Sequence, residues 1–130
     1  MSYRLVSFAL ILILIFMNAG CSPNHAKLTI EDNGKTVNAK VGGQITIELE
    51  GNPSTGYTWD GKDVDASILK QEGEVEFKSS NPGLIGSGGI MTLTFKAQKA
   101  GTTTLNLIYH RPWETDVKPE SAFSVTIIVK

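Results

Sequence analysis

Hydrophobic and polar side chains alternate with a period of two along much of this chain. Four runs show the alternation clearly, around residues 45–49, 91–97, 105–109 and 123–129. A period of two places all the apolar residues of a run on one face of an extended strand. Weaker alternation predicts four further strands at residues 27–31, 57–60, 68–71 and 75–78. Each strand is therefore expected to turn one face to a core and the other to water.

Turn-forming residues separate these runs, and no window of eleven or more residues shows a convincing helical stripe. Turn signals occur at Asp32-Asn33-Gly34, Gly42-Gly43, Asn52-Pro53, Asn81-Pro82-Gly83 and Ala100-Gly101. About seven or eight short strands in one domain predict an all-β fold, an immunoglobulin-like antiparallel β-sandwich. With a single cysteine, the chain cannot form an internal disulfide, so packing alone must hold this core.

Composition excludes several classes of protein. The chain has 12 Lys+Arg against 13 Asp+Glu, a balance that argues against a nucleic-acid partner. Hydrophobic residues make up 41% and charged residues 19%, which is enough apolar material for a packed domain rather than a disordered one. A lone cysteine also rules out a cysteine-based zinc site. We therefore expect one domain, without a metal or another cofactor.

The amino terminus has the pattern of an export signal. Arg4 is followed by an apolar segment over residues 5–17 and by the small residues Ala19 and Gly20. A basic start, a short apolar region and a small-residue cleavage site are typical of a secretory signal peptide. The apolar segment is shorter than the roughly 20 residues that a membrane-spanning helix needs. We predict a cleaved signal peptide over residues 1–20.

The single cysteine lies directly after this segment. Ala19-Gly20-Cys21 resembles the bacterial lipobox, although Asn18 stands where that motif usually has leucine. The resemblance implies cleavage before Cys21 and lipid attached to its sulfur, which would anchor the protein to a bacterial membrane at the cell envelope. In the anchored form, residues 21–26 would be a tether and residues 27–130 the folded domain. The alternative is a soluble secreted or periplasmic protein.

The first of three unusual loops covers residues 52–57. Pro53 fixes its own backbone angle, and Gly56 permits a positive φ, so the loop is expected to be stiff and to present Ser54 and Thr55. A simple turn ahead of a buried Trp59 explains the same residues.

The second loop covers residues 84–89 and contains three glycines. Glycines allow another backbone to approach closely, and the following strand argues against a phosphate-binding loop, which would precede a helix. In one interpretation, the side chains of Leu84 and Ile85 are exposed and contact a partner. The other possibility is a hairpin connection that packs both side chains inward.

The third loop, residues 110–116, contains Arg111, Pro112 and Trp113. Arginine and tryptophan are the residues most enriched in binding hot spots, and the proline would restrict how they are presented. A local stack of Arg111 with Trp113 and a salt bridge to Glu114 is the alternative explanation of these residues.

Together the three loops resemble the signature loops of the chagasin-type inhibitors of papain-like cysteine peptidases, in order and in spacing. The resemblance covers about residues 27–130 and implies a reversible inhibitor, a monomer, that occludes the cleft of a papain-like cysteine peptidase. It assigns peptidase binding to Asn52, Pro53, Ser54, Thr55, Gly56, Tyr57, Leu84, Ile85, Gly86, Ser87, Gly88, Gly89, Arg111, Pro112 and Trp113. The family often has threonine where this chain has Ser54, which keeps the hydroxyl and removes a methyl group.

Two other classes of protein compete with this hypothesis. An enzyme is disfavoured, because the sequence contains neither the His-Glu-x-x-His nor the Gly-x-Ser-x-Gly pattern. Its histidines number only two, His25 and His110. An envelope-anchored adhesion or assembly module without inhibitory activity is the remaining alternative, since one sandwich fold supports many functions.

Overall fold

The computed structural model describes residues 24–130, so the predicted signal peptide and Cys21 lie outside the described residues. Within this part the chain forms nine strands and two short 3₁₀ turns, Ile30–Asp32 and Pro53–Thr55. None of its helical turns is long or apolar enough to cross a lipid bilayer. The strands are β1 (His25–Leu28), β2 (Thr36–Ala39), β3 (Gln44–Gly51), β4 (Thr58–Gly61), β5 (Leu69–Gln71), β6 (Glu76–Ser79), β7 (Gly89–Ala97), β8 (Gly101–His110) and β9 (Ser121–Val129).

The strands form two sheets. The first has the order β1-β3-β7-β5, with β6 also paired to β7, and the second has the order β2-β9-β8-β4. The all-β sandwich is therefore confirmed. Most pairs are antiparallel, as predicted, but β1 pairs with β3 and β2 with β9 in parallel. The sequence did not predict β2. Only one of its four residues, Ala39, is buried, so the strand has no clear alternation of apolar and polar positions.

The alternating residues meet in a core between the two sheets. Phe95 of the first sheet and Phe123 of the second are among its largest fully buried side chains. All the buried hydrophobic residues of the described chain lie between Ala26 and Val129, and no polar side chain there is buried. The described residues thus contain a hydrophobic core of their own.

The domain begins earlier than the sequence predicted. Strand β1 starts at His25 and runs beside β3, where Ala26 lies opposite Ile45 and is 8% exposed. Residues 25 and 26, which the sequence assigned to a tether, therefore belong to the first sheet.

The two ends of the sandwich differ in what they carry. Strand β8 runs from one end to the other, and its ten residues span about 33 Å. The described chain enters at the end where β8 begins, because the Gln44 N–H donates to the Asn24 carbonyl at 2.8 Å. The loops after β3, β6 and β8 all lie at the opposite end, which we call the loop end.

Candidate functional site

Three connections form the loop end. The first loop, residues 52–57, joins β3 to β4; the second, residues 80–88, joins β6 to β7; the third, residues 111–120, joins β8 to β9. All the residues assigned to peptidase binding from the sequence lie in these loops or directly beside them. Hydrogen bonds connect the first loop to both of the others, so the three form one surface.

Asn52 organises the first loop. Its side-chain oxygen accepts hydrogen bonds from the Ser54 N–H at 3.1 Å and the Ser54 hydroxyl at 2.5 Å, which caps the 3₁₀ turn. The Thr55 hydroxyl donates to the Asn52 carbonyl at 2.6 Å. Gly56 ends the turn with φ at +85°, a conformation that favours glycine. These hydrogen bonds tie the backbone of the loop together, while Pro53, Ser54 and Thr55 remain exposed.

The same side chain joins the first loop to the second. The Asn52 amide nitrogen donates to the Gly86 carbonyl at 3.0 Å, and the Ser54 hydroxyl lies 3.5 Å from that oxygen. Because a side-chain amide has both an acceptor and donors, it can cap one loop and hold the next.

Arg111 joins the first loop to the third. Its Nε donates to the Thr55 carbonyl at 3.0 Å, and its guanidinium lies over the Tyr57 ring, 4.5 Å from the centroid. Its Nη1 donates to Glu114 at 3.0 Å, and this bond raises the pKa of Arg111 above its ordinary value. The salt bridge of the alternative interpretation is thus present, but Arg111 stacks on Tyr57 rather than on Trp113.

Trp113 is the largest exposed aromatic residue of the loop end. Its side chain is 68% exposed, yet one edge of the indole ring lies directly against Gly56. A β-carbon at position 56 would overlap that ring. Glycine at this position therefore serves both the turn and the placement of the tryptophan.

The second loop presents apolar side chains to solvent. Leu84 is 60% exposed and Ile85 is fully exposed, so the interpretation in which a hairpin packs them inward is wrong. The Ser87 hydroxyl fixes the loop from inside through the Asn81 carbonyl at 3.0 Å and the Ser79 hydroxyl at 2.7 Å. With its hydrogen bonds made internally, the loop turns its apolar residues outward.

An aromatic stack beneath the loops was not predicted from the sequence. The Tyr109 ring lies 5.1 Å from both Tyr57 and Trp59, and its hydroxyl accepts a hydrogen bond from the Asn52 N–H at 2.8 Å. Trp59 itself donates to the Glu50 carbonyl at 2.9 Å. An aromatic residue at the end of an alternating strand was the available signal, since tyrosine combines an apolar ring with a polar tip.

The loop end has the chemistry of a binding surface. The exposed hydroxyls of Ser54 and Thr55 donate to Asn52 or the backbone rather than to a general base. Residues 24–130 contain no group of three His, Cys, Asp or Glu side chains placed to bind a metal ion. Its distinguishing property is a rigid polar turn flanked by the apolar side chains of Ile85 and Trp113.

Comparisons with known proteins find similarity to peptidase inhibitors. The sequence model of the chagasin family of peptidase inhibitors, I42, matches residues 38–127. The chain is 30% identical to chagasin from Trypanosoma cruzi over 105 residues, which cover 76% of this chain and 93% of that protein. It is 28% identical to amoebiasin-2 from Entamoeba histolytica over 119 residues, covering 89% and 97%. The crystal structure of a cysteine protease inhibitor from Entamoeba histolytica superposes with a TM-score of 0.71 at 27% identity, covering 82% of this chain and 96% of that one.

Proposed function

The chain belongs to the chagasin family of peptidase inhibitors, and we propose that it blocks papain-like cysteine peptidases by filling the active-site cleft with its three loops. The observation that carries this proposal is the junction at Asn52, which stiffens the first loop and bonds it to the second. Family membership also favours inhibition over adhesion as the use of this sandwich.

In this mechanism the first loop enters the cleft. Its exposed turn, with Ser54 and Thr55, would lie nearest the catalytic cysteine. A loop that is already ordered loses little conformational entropy on binding, and three loops on one scaffold share the entropic cost of association. The internal hydrogen bonds of Asn52 also oppose the extended backbone that a peptidase needs in a substrate.

The other two loops would contact the walls of the cleft. Leu84 and Ile85 offer apolar contacts on one side, beside the glycine-rich backbone of residues 86–89. Trp113 offers a large aromatic surface on the other side. Arg111 supports this arrangement, since its bond to Glu114 orders the third loop internally and its bond to Thr55 fixes that loop to the first.

Titration of active-site-counted papain with purified residues 22–130 tests the proposed function. We expect stoichiometric loss of activity and an inhibitor that stays intact. Full activity in papain and in a panel of cathepsin-type peptidases would contradict inhibition and favour the adhesion module. Cleavage of the 52–57 loop at the rate of a substrate would instead contradict the proposed resistance of this loop.

We also propose that the mature protein is anchored to a membrane through lipid on Cys21. Support comes from the topology: the described chain begins at the end opposite the loops, so an anchor there leaves the loops free to bind a peptidase. Expression of the full chain in a bacterium fed labelled palmitate checks this. The wild-type protein should carry the label, Cys21→Ser should lack it, and an unlabelled wild-type protein would favour the soluble secreted form.

A further inference from the structure

The end of the sandwich opposite the loops gathers residues from distant parts of the sequence. Backbone hydrogen bonds join Gly42 to Ala97 at 2.7 Å, Val41 to Lys130 at 3.1 Å, and Gln98 to Ile68 at 2.8 Å. We call this surface the base and define it by residues 24–25, 40–43, 65–70, 96–101 and 130.

Charge is distributed unevenly between the base and the rest of the domain. The base carries five lysines. The carboxylates close to them are those of Asp65, of Glu72 just outside the base, and of the chain terminus at Lys130. Outside the base, residues 24–130 have six lysine and arginine side chains against twelve acidic ones, Glu72 included. A nearly neutral domain is therefore basic at one end and acidic over the remainder. The five lysines are Lys40, Lys70, Lys96, Lys99 and Lys130.

These lysines are available to a partner. Four of the five are exposed and Lys40 is half-buried. Within residues 24–130 none of them forms an ion pair within 4.0 Å, whereas Lys27 and Lys35 elsewhere pair with Glu48 and Asp32. Val41, 51% exposed, adds an apolar side chain to the same surface.

One pair of lysines opposes the stability of the fold. Lys70 of β5 lies directly opposite Lys96 of β7 in the antiparallel register. Like charges in such cross-strand positions repel each other and destabilise the sheet. An anionic partner at the base would offset this repulsion.

We propose that the base docks on an anionic lipid surface. Lysines near such a surface are attracted to its negative potential, while the acidic remainder of the domain is repelled from it. The position of chain entry selects a membrane as the partner, since Asn24 lies in the base and only three positions after Cys21, the proposed site of lipid attachment. The orientation rests on the proposed membrane location and places the loops about 33 Å from the lipid, the length of β8.

Sedimentation with lipid vesicles tests the docking without any lipid anchor. Residues 22–130, which contain the complete core but not Cys21, are mixed with vesicles of phosphatidylcholine, with or without phosphatidylglycerol. We expect binding to the phosphatidylglycerol vesicles that weakens as salt screens the charges. Equal binding to neutral vesicles, or no binding at low salt, would overturn the proposal. Because Cys21 is absent and papain activity is measured separately, failure here is distinguishable from failure of lipidation or inhibition.

Two triple variants with the same change in net charge locate the effect. Each lysine near the surface contributes about fivefold to binding, so Lys40→Gln/Lys99→Gln/Lys130→Gln should bind at least about tenfold more weakly. The control Lys62→Gln/Lys78→Gln/Lys118→Gln should bind like the wild type, with unchanged unfolding temperatures for both variants. Equal losses in the two variants, or equally tight binding of the wild-type domain to duplex DNA, would show that no lipid-specific base exists.

Discussion

Replacing Trp113 with alanine is expected to raise the inhibition constant for papain by about 30- to 1000-fold, equivalent to about 2–4 kcal/mol of binding free energy. The side chain is 68% exposed in the free protein, so a partner can bury most of it. Its ring is already positioned against Gly56, which limits the rotamer entropy lost on binding. Stability should change little, because truncating an exposed side chain leaves no cavity in the core. Inhibition assays and thermal unfolding measure the two quantities separately.

The same loop offers a matched control for this variant. Val117 is 58% exposed and lies four residues further along the third loop. Val117→Ala should change the inhibition constant by less than about twofold, a free-energy difference below about 0.5 kcal/mol. If Trp113→Ala changes inhibition as little as Val117→Ala, the tryptophan is not part of the peptidase-binding surface.

The fold was predictable where a strand carries its own signal. Strands β3, β7, β8 and β9 alternate over many residues, and their buried residues make most of the core. Strand β2 lacks such a signal, since its four residues owe their extended form to parallel pairing with β9, about ninety positions away. The start of β1 was missed for the same reason, because its partner β3 decides that Ala26 is buried.

In the candidate site, too, features set by neighbouring residues could be predicted, whereas features set by distant residues could not. Stiffness of the first loop follows from Asn52, Pro53 and Gly56, which act within a few residues of one another, and it was predicted. The contacts that hold the first loop to the rest of the domain depend on distant pairs, such as Asn52 with Tyr109 and Arg111 with Thr55, so sequence patterns could not reveal them. The direction of Leu84 and Ile85 also required the structure, since a glycine-rich hairpin is compatible with either orientation.

Replacing Gly56 with alanine is expected to weaken inhibition by about 30-fold or more, because the new methyl group would displace the Trp113 ring. The substitution also places alanine at a positive φ, which costs roughly 1–2 kcal/mol of stability. Unfolding measurements should therefore show a modest loss, and inhibition assays a much larger one. The two effects have different origins, one in the backbone and one in the contact with the indole.

Gly34→Ala separates these effects, because Gly34 has nearly the same φ, +81°, but no neighbouring atom within 4 Å of the place that a methyl group would occupy. Both variants should lose about the same stability, whereas Gly34→Ala should inhibit papain like the wild type. In the double variant Gly56→Ala/Trp113→Ala, the losses of inhibition should be far from additive, since without the indole the methyl group displaces nothing. Additive losses would mean that Gly56 acts through the backbone of the first loop alone. Non-additive losses would establish that Gly56 acts by positioning Trp113 for the peptidase.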